Sequence, residues 1–311
     1  MALAFQKKLN HVNNNVDSYI CSKLIEAAGV IHFAYEQGNS YPGLKATGRI
    51  FYRNYTVATD ALSAAVDVSG AEPTGLYGFH RCEVVRMNDG RLLCGYQVDD
   101  QLATSVGRGF RVKESTDTGA TWGSEFNPAG YTTHQFFGLA TDGDTVIAIS
   151  KSPNTAGATV AVHKRTAAGT WTSTDVFIGS SNNFFSLSAV PLQNNLLLRS
   201  NGIIAGSRNR GSGQREIAAL VSKDLASWAD ISIYTQAKSA RRIPILTLGA
   251  DGRVRMVFTT YRSDLVTPML GVAYSEDFGQ TWTVLAEPAA FTQNDSTGEP
   301  ISWMPSDYDW T

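Results

Sequence analysis

Cysteine is scarce: Cys21, Cys82 and Cys94 are the whole complement of a 311-residue chain. Three thiols cannot build a disulfide framework, and none stands in a Cys/His spacing suited to zinc. The expectation is a fold in a reducing compartment, with free thiols, no metal and no cofactor. Charge is scarce as well. Charged residues make up 17% of the chain and the formal net charge is -2. That balance excludes a nucleic-acid partner held by bulk electrostatics. No apolar run is long enough to cross a bilayer, so membrane insertion is not expected. The opening residues, Met1 to Lys8, lack the apolar core of a signal peptide. Synthesis in the cytoplasm without such an address, or a mature form, follows as the expectation.

What the chain has instead is glycine and repetition. There are 28 Gly, and hydrophobic residues reach 43%. With abundant Thr, Ser and Asn, this suits an all-β protein with many turns. Ser115-Thr116-Asp117-Thr118-Gly119-Ala120-Thr121-Trp122 recurs 160 residues later as Ser275-Glu276-Asp277-Phe278-Gly279-Gln280-Thr281-Trp282. Both read Ser-x-Asp-x-Gly-x-Thr-Trp, and repetition of this kind comes before any other reading. The Asp and Ser are suited to fold back on turn N–H groups, the Gly to a positive φ, and the Trp to bury a ring beside the turn. A worn copy, Ser222 to Trp228, keeps Ser222, Asp224 and Trp228 but loses the glycine and one residue.

A second pattern repeats more often: a strand, a tight turn, then an apolar strand. Its turn positions are Gly29, Gly90, Gly143, Asn195 and Gly252, spaced by 61, 53, 52 and 57 residues. That is the spacing of propeller blades. A propeller grows by adding blades, so one domain accommodates this length.

The Ser-x-Asp-x-Gly-x-Thr-Trp turn resembles the Asp-box of sialidases and related β-propellers. The resemblance implies blades of four antiparallel strands, with these turns on the face away from the ligand mouth. Five blades are expected, at approximately 19–70, 76–126, 133–178, 183–234 and 240–285, with six as the alternative. Residues 1–18 and 286–311 are expected to close the ring or to be tied down on other proteins of a larger assembly. Ser115, Asp117, Gly119, Trp122, Asp224, Trp228, Ser275, Asp277, Gly279 and Trp282 are then structural.

In such a propeller the mouth is lined by loops leading into first strands and leaving second strands. Arg242, in Arg242-Ile243-Pro244, resembles the sialidase arginine that binds a substrate carboxylate, a task its planar fork suits. Arg81 holds a similar place in the second repeat. Arg208, Arg210 and Arg262 follow second strands, and with Arg81 and Arg242 form the expected ligand-binding set. A sialidase also needs an acid and a Tyr/Glu nucleophile pair. Asp99, Asp100 and Asp264 are the candidates for the acid, and Tyr261 and Glu216 for the pair. Tyr261 leaves a second strand, which is not where the family places its nucleophile. His80 and His134 lead into first strands as hydrogen-bonded surface residues. Three functions compete: a glycan-recognising module, acidic glycans included, in a phage tail, virion or similar assembly; a sialidase-type glycoside hydrolase; and a protein scaffold with no sugar ligand.

Overall fold

The computed structural model describes residues 18–25, 29–37, 48–70, 77–100, 107–123, 125–152, 159–179, 184–186, 196–209, 215–236, 244–261 and 268–285. They form five antiparallel sheets met in chain order. The first holds β1 (Ser18–Ile25), β2 (Val30–Gln37), β3 (Arg49–Thr56) and an outer strand split into β4 (Ala61–Leu62) and β5 (Val66–Asp67), both paired with β3. The second holds β6 (Tyr77–Arg86), β7 (Leu92–Asp100), β8 (Gly107–Ser115) and β9 (Glu125–Phe126). The third holds β10 (Gln135–Thr141), β11 (Val146–Lys151), β12 (Thr159–Arg165) and β13 (Trp171–Ile178). In the fourth, β14 (Phe184–Ser186) and β15 (Leu196–Leu198) both pair with β16 (Gly202–Asn209), followed by β17 (Arg215–Ser222) and β18 (Ala229–Gln236). The fifth holds β19 (Ile245–Leu248), β20 (Val254–Tyr261), β21 (Pro268–Ser275) and β22 (Thr283–Val284).

This is a five-bladed β-propeller. The first strand of each sheet touches the first strand of the next, through β1, β6, β10, β15 and β19, so these strands are innermost. The roles expected for residues 1–18 and 286–311 lie outside the described residues, apart from Ser18 at the start of β1.

Middle strands read as continuous apolar runs because each blade is packed on both faces. Along β11, Val146 and Ala148 join a core between the second and third sheets, while Ile147 and Ile149 join one between the third and fourth. The pattern repeats at Ile203 and Ile204 of β16. A side chain of this size contributes about 1.5–3 kcal/mol when buried. The outermost strand β13 has one neighbour, and its Thr172 to Asp175 are exposed and polar.

The four described hairpin glycines take the expected positive φ: Gly29 at 77°, Gly90 at 90°, Gly143 at 103° and Gly252 at 80°. Asn195 lies outside the described residues.

The two full Ser-x-Asp turns share one hydrogen-bond scheme. In the first, Ser115 Oγ donates to Asp117 at 2.8 Å, Gly119 N–H donates to Ser115 Oγ at 2.8 Å, and Thr121 donates through N–H at 2.8 Å and Oγ1 at 2.6 Å to Asp117. The second repeats it with Ser275, Asp277, Gly279 and Thr281 at 2.8, 2.7, 2.8 and 2.6 Å. The Thr121 hydroxyl, the Thr121 N–H and the Ser115 hydroxyl hold the Asp117 carboxyl down at about 2. The worn copy keeps the turn without glycine. Ser222 Oγ, Ala226 N–H and Ser227 N–H all donate to Asp224.

The residue after each Asp is also left-handed: Thr118 at φ 59°, Leu225 at 58° and Phe278 at 53°. Leu225 and Phe278 turn this conformation to use, each entering the core shared with the preceding blade. Trp122, Trp228 and Trp282 are half-buried against those same inter-blade cores. Trp282 Nε1 also donates to Gly279 O at 2.9 Å. Trp282→Ala is expected to lower stability by about 2–3 kcal/mol, below the cost of deleting a fully buried ring. Urea denaturation checks this, and an unchanged midpoint would exclude it.

Cys82 and Cys94 are fully buried. Counted from the hairpin turn, Cys21 matches Cys82, yet the β-bulge in β1 falls at Cys21 and that in β6 at Arg81. The blades are therefore offset by one residue at this point.

Candidate functional site at the mouth

Antiparallel order puts two kinds of turn at one end of the propeller: those joining first to second strands and those joining third to fourth. An ion network confirms the grouping. Arg165, at the end of β12, pairs with Glu114, at the end of β8, at 2.7 Å. Glu114 also holds Arg91, in the β6–β7 turn, at 3.0 Å. The opposite end, where first strands begin and second strands finish, is the end at which the Asp-box resemblance leads one to expect a ligand mouth.

Arg81 sits midway along innermost strand β6, four residues in from its first residue, and does not lead into the strand as expected from sequence. The register shifts between His80 and Cys82, so Arg81 is the extra residue of a β-bulge. Its φ of 46° is a conformation a bulky residue adopts only when its surroundings impose it. Its side chain is half-buried. Comparable bulges lie between Ile20 and Ser22 in β1 and between Phe136 and Gly138 in β10.

Glu83 lies two residues further down β6, about 6–7 Å along the strand. It was not among the residues expected from sequence. The Leu139 N–H, next to the β10 bulge, donates to Glu83 Oε2. Opposite Glu83 in β7 is Gly95, where a Cβ would meet the Phe136 ring at 2.7 Å. The ring of the next blade therefore occupies the space over Gly95. Burial pushes the Glu83 carboxyl up to about 8, and the Leu139 N–H opposes this only in part. A folded-state value above the unfolded one means that stability present below about pH 4.5 is lost as pH rises to about 8. Discounted for the residue's partial exposure, the loss is about 2 kcal/mol. Glu83→Gln is expected to flatten this slope, read as urea midpoints at pH 5 and pH 8. An identical slope in the variant would exclude the assignment.

Gln97, at the same face of β7, clamps the two blades. Its Nε2 donates to Val98 O and Gly109 O, both at 2.9 Å, and its Oε1 accepts the Phe136 N–H at 2.5 Å. Beside it runs a buried polar chain in the third blade. Ser150 Oγ lies 3.1 Å from His134 Nδ1 and 2.8 Å from His163 Nε2, and His163 Nδ1 lies 2.8 Å from Ser173 Oγ. Tyr131 stands edge-on to both imidazoles and donates to Asp175 at 3.0 Å. Burial, aided by His134, pushes His163 down to about 3, and burial also lowers His134. Both shifts favour the neutral imidazole. His134 is thus buried at the blade 2–3 boundary, not a surface residue as its sequence position suggests.

Arg208 and Glu216, expected from sequence in ligand-binding and catalytic roles, hold each other. They face across β16 and β17, and Arg208 reaches Glu216 Oε2 at 3.1 Å through Nε and 2.5 Å through Nη2. Arg208 also pairs with Asp230, and Thr235 Oγ1 donates to Glu216 Oε1 at 3.3 Å. Both partners are 5% exposed at the side chain. Asp99 and Asp100 end β7 opposite Gly78 and Tyr77, and Tyr261 ends β20 opposite Pro268. The side chains of those three lie outside the described residues, as do Arg210, Arg242, Arg262 and Asp264 entirely.

No protein-family model matches the chain, and no curated protein matches it in sequence. Solved structures do match in shape. A protein of unknown function from Dyadobacter fermentans superposes with a TM-score of 0.56 at 12% identity, over 88% of this chain and 84% of that one. The likeness is one of fold. An ulvan lyase bound to a glucuronate–rhamnose sulfate saccharide gives 0.54 at 12% identity, over 85% of this chain and 68% of that one. An α-L-arabinofuranosidase from Fusarium graminearum, in complex with an iminosugar inhibitor, gives 0.52 at 13%, over 89% and 82%.

Among the described residues no group of three or more His, Cys, Asp or Glu is arranged to hold a metal ion. No helix among them is long and apolar enough to cross a membrane.

Proposed function

We propose that the chain is a glycan-recognising propeller whose ligand enters at the mouth. The observation that carries this reading is Arg81. A guanidinium on the innermost strand, held on a strained left-handed bulge, is the kind of costly local geometry that clusters at ligand sites. Its planar fork suits the carboxylate of an acidic sugar or a pair of sugar hydroxyls. The fold supports the class of ligand. The ulvan lyase and the arabinofuranosidase, which superpose over most of this chain, both act on saccharides.

Recognition is placed first because Glu216, one of the expected catalytic residues, is committed to Arg208. Within this reading, a receptor-binding or structural part of a phage tail or other virion is the proposed setting, with the termini engaging other proteins. A glycoside hydrolase, of sialidase type or of another specificity, is the second reading, favoured by the neighbours' own activities. A scaffold without a sugar ligand is the third.

A glycan array separates the first and third readings, and release of reducing sugar from bound glycans separates the second. Arg81→Gly keeps the positive φ at no steric cost, so it removes the guanidinium without adding strain. Binding is expected to fall roughly 10- to 100-fold, as for a lost hydrogen bond to a charged group, with the thermal midpoint preserved. Unchanged glycan binding in this variant would defeat the assignment of the mouth.

A further inference from the structure

Lys151 is the last residue of β11, at the end where second strands finish, and it pairs with Gln135, the first residue of innermost strand β10. The bulge of β10 falls at Phe137, as that of β6 falls at Arg81. Lys151 therefore stands two residues, about 6–7 Å, nearer the mouth than the level of the bulges. Along β11 it follows Ile147 and Ile149 on the face toward the fourth blade, and its partner in β12 is the fully buried Val160. The side chain is half-buried, with a stem suited to this apolar surface and a head that needs a counter-ion. Among the described residues the ammonium has no hydrogen bond or ion pair.

The carboxylates that could serve it are scarce and committed. Residues 145–215 contain seven Lys and Arg but one acidic residue, Asp175. Asp175 accepts the Tyr131 hydroxyl at 3.0 Å. Across the boundary, Glu216 and Asp230 are both held by Arg208. Burial accordingly holds the Lys151 ammonium below the usual lysine value, with no carboxylate opposing it. An uncompensated, half-buried cation is costly, and a bound anion removes the cost.

We propose that Lys151 pairs with an anionic group of the bound saccharide, a carboxylate or a sulfate ester, at the mouth end of the boundary between the third and fourth blades. This rests on the glycan reading above and narrows it to acidic saccharides. An ammonium is a point charge with three rotatable donors, so it takes either anion without a set geometry.

The probes are a glucuronate-containing oligosaccharide, the same oligosaccharide with its carboxyls reduced to alcohols, and a sulfated form of the reduced one. They are titrated calorimetrically at pH 7 in low and high salt. In low salt the wild type should bind the anionic probes about tenfold more tightly than the reduced one, and salt should narrow the gap. Lys151→Met keeps the stem and deletes the charge. It should weaken the anionic probes about tenfold, as for a lost hydrogen bond to a charged group, and leave the reduced probe unchanged. Lys151→Arg should retain the preference. The thermal midpoint of Lys151→Met should equal or exceed that of the wild type, because the charge removed has no partner in the fold. Binding of one anionic probe alone, weakened in Lys151→Met, supports the pairing and fixes the anion. Anionic binding that is unchanged in Lys151→Met overturns the inference and leaves the glycan reading standing, as does a reduced probe bound as tightly as the anionic ones. A lower midpoint in Lys151→Met means that the ammonium is held within the fold, and overturns it as well. Binding of none of the three to the wild type removes the inference together with the glycan reading for these sugars.

Discussion

Arg208→Ala is expected to lower the stability of the protein by about 3–5 kcal/mol at pH 8. The reason is what it leaves behind. Glu216 is 5% exposed at the side chain, and its Oε2 is held by two nitrogens of Arg208. Removing the cation strands a buried carboxylate between the third and fourth blades, and Thr235 Oγ1 is too weak a partner to replace it. The stranded group can escape by taking up a proton, so the loss should shrink as pH falls below the ordinary carboxylate range. The double variant Arg208→Met, Glu216→Leu removes both buried charges, keeps apolar volume and leaves only the part-exposed Asp230 without its cation. It should recover most of the loss, since buried pairs are costly to break yet often nearly neutral to replace whole. Urea denaturation of the three proteins at pH 8 and pH 4.5 reads both effects. A single variant as stable as the wild type would mean that Arg208 faces solvent, where a ligand-binding role would again be open to it.

Gly119→Ala is expected to cost about 3 kcal/mol or more. Two separate physical terms act at this position. The residue has a φ of 91°, which an alanine adopts only under strain. The added Cβ would also stand 2.0 Å from Cε1 of Tyr52, inside the ring. Tyr52 cannot yield easily. It is 1% exposed, its hydroxyl donates to Thr118 O at 3.1 Å and meets His32 Nδ1 at 2.5 Å, and its ring stands edge-on to Trp122. Overpacking such a core forces neighbouring side chains off their rotamers. Gly130→Ala is the control, because that glycine has a φ of 85° with nothing within 4 Å of a Cβ. It isolates the backbone term. If the two variants unfold at the same urea concentration, the contact between the turn and Tyr52 contributes nothing.

The legible parts of this protein are those decided within one hairpin. The Ser-x-Asp turn closes on itself through bonds spanning two to four residues, so Ser115, Asp117, Gly119 and Thr121 carry the whole instruction. Its loss of glycine at Asp224 to Ser227 was readable as a worn copy, and the turn survives there one residue shorter, with Ala226 N–H and Ser227 N–H donating to Asp224. The Arg208–Glu216 pair was within reach too. Two opposite charges eight residues apart, flanking a Gly-rich connection, are cross-strand partners in a hairpin. Reading each of them alone assigned Arg208 to a ligand and Glu216 to catalysis instead of to each other. Glu83 carried a signal of its own, a carboxylate within the apolar run from Cys82 to Val85.

Sequence alone determined the all-β class, the blade period of 52 to 61 residues and the turn chemistry, because period-two strands and glycine turns are local consequences of residue type. Only the tertiary structure decided what meets across the blade boundaries. Leu139 lies 56 residues from Glu83, and Thr118 lies 66 residues from Tyr52. Which backbone N–H a β-bulge releases, and which side chain of the next blade stands beside it, depends on how two sheets are offset. That offset is set by the summed packing of both faces, and no single stretch of chain encodes it.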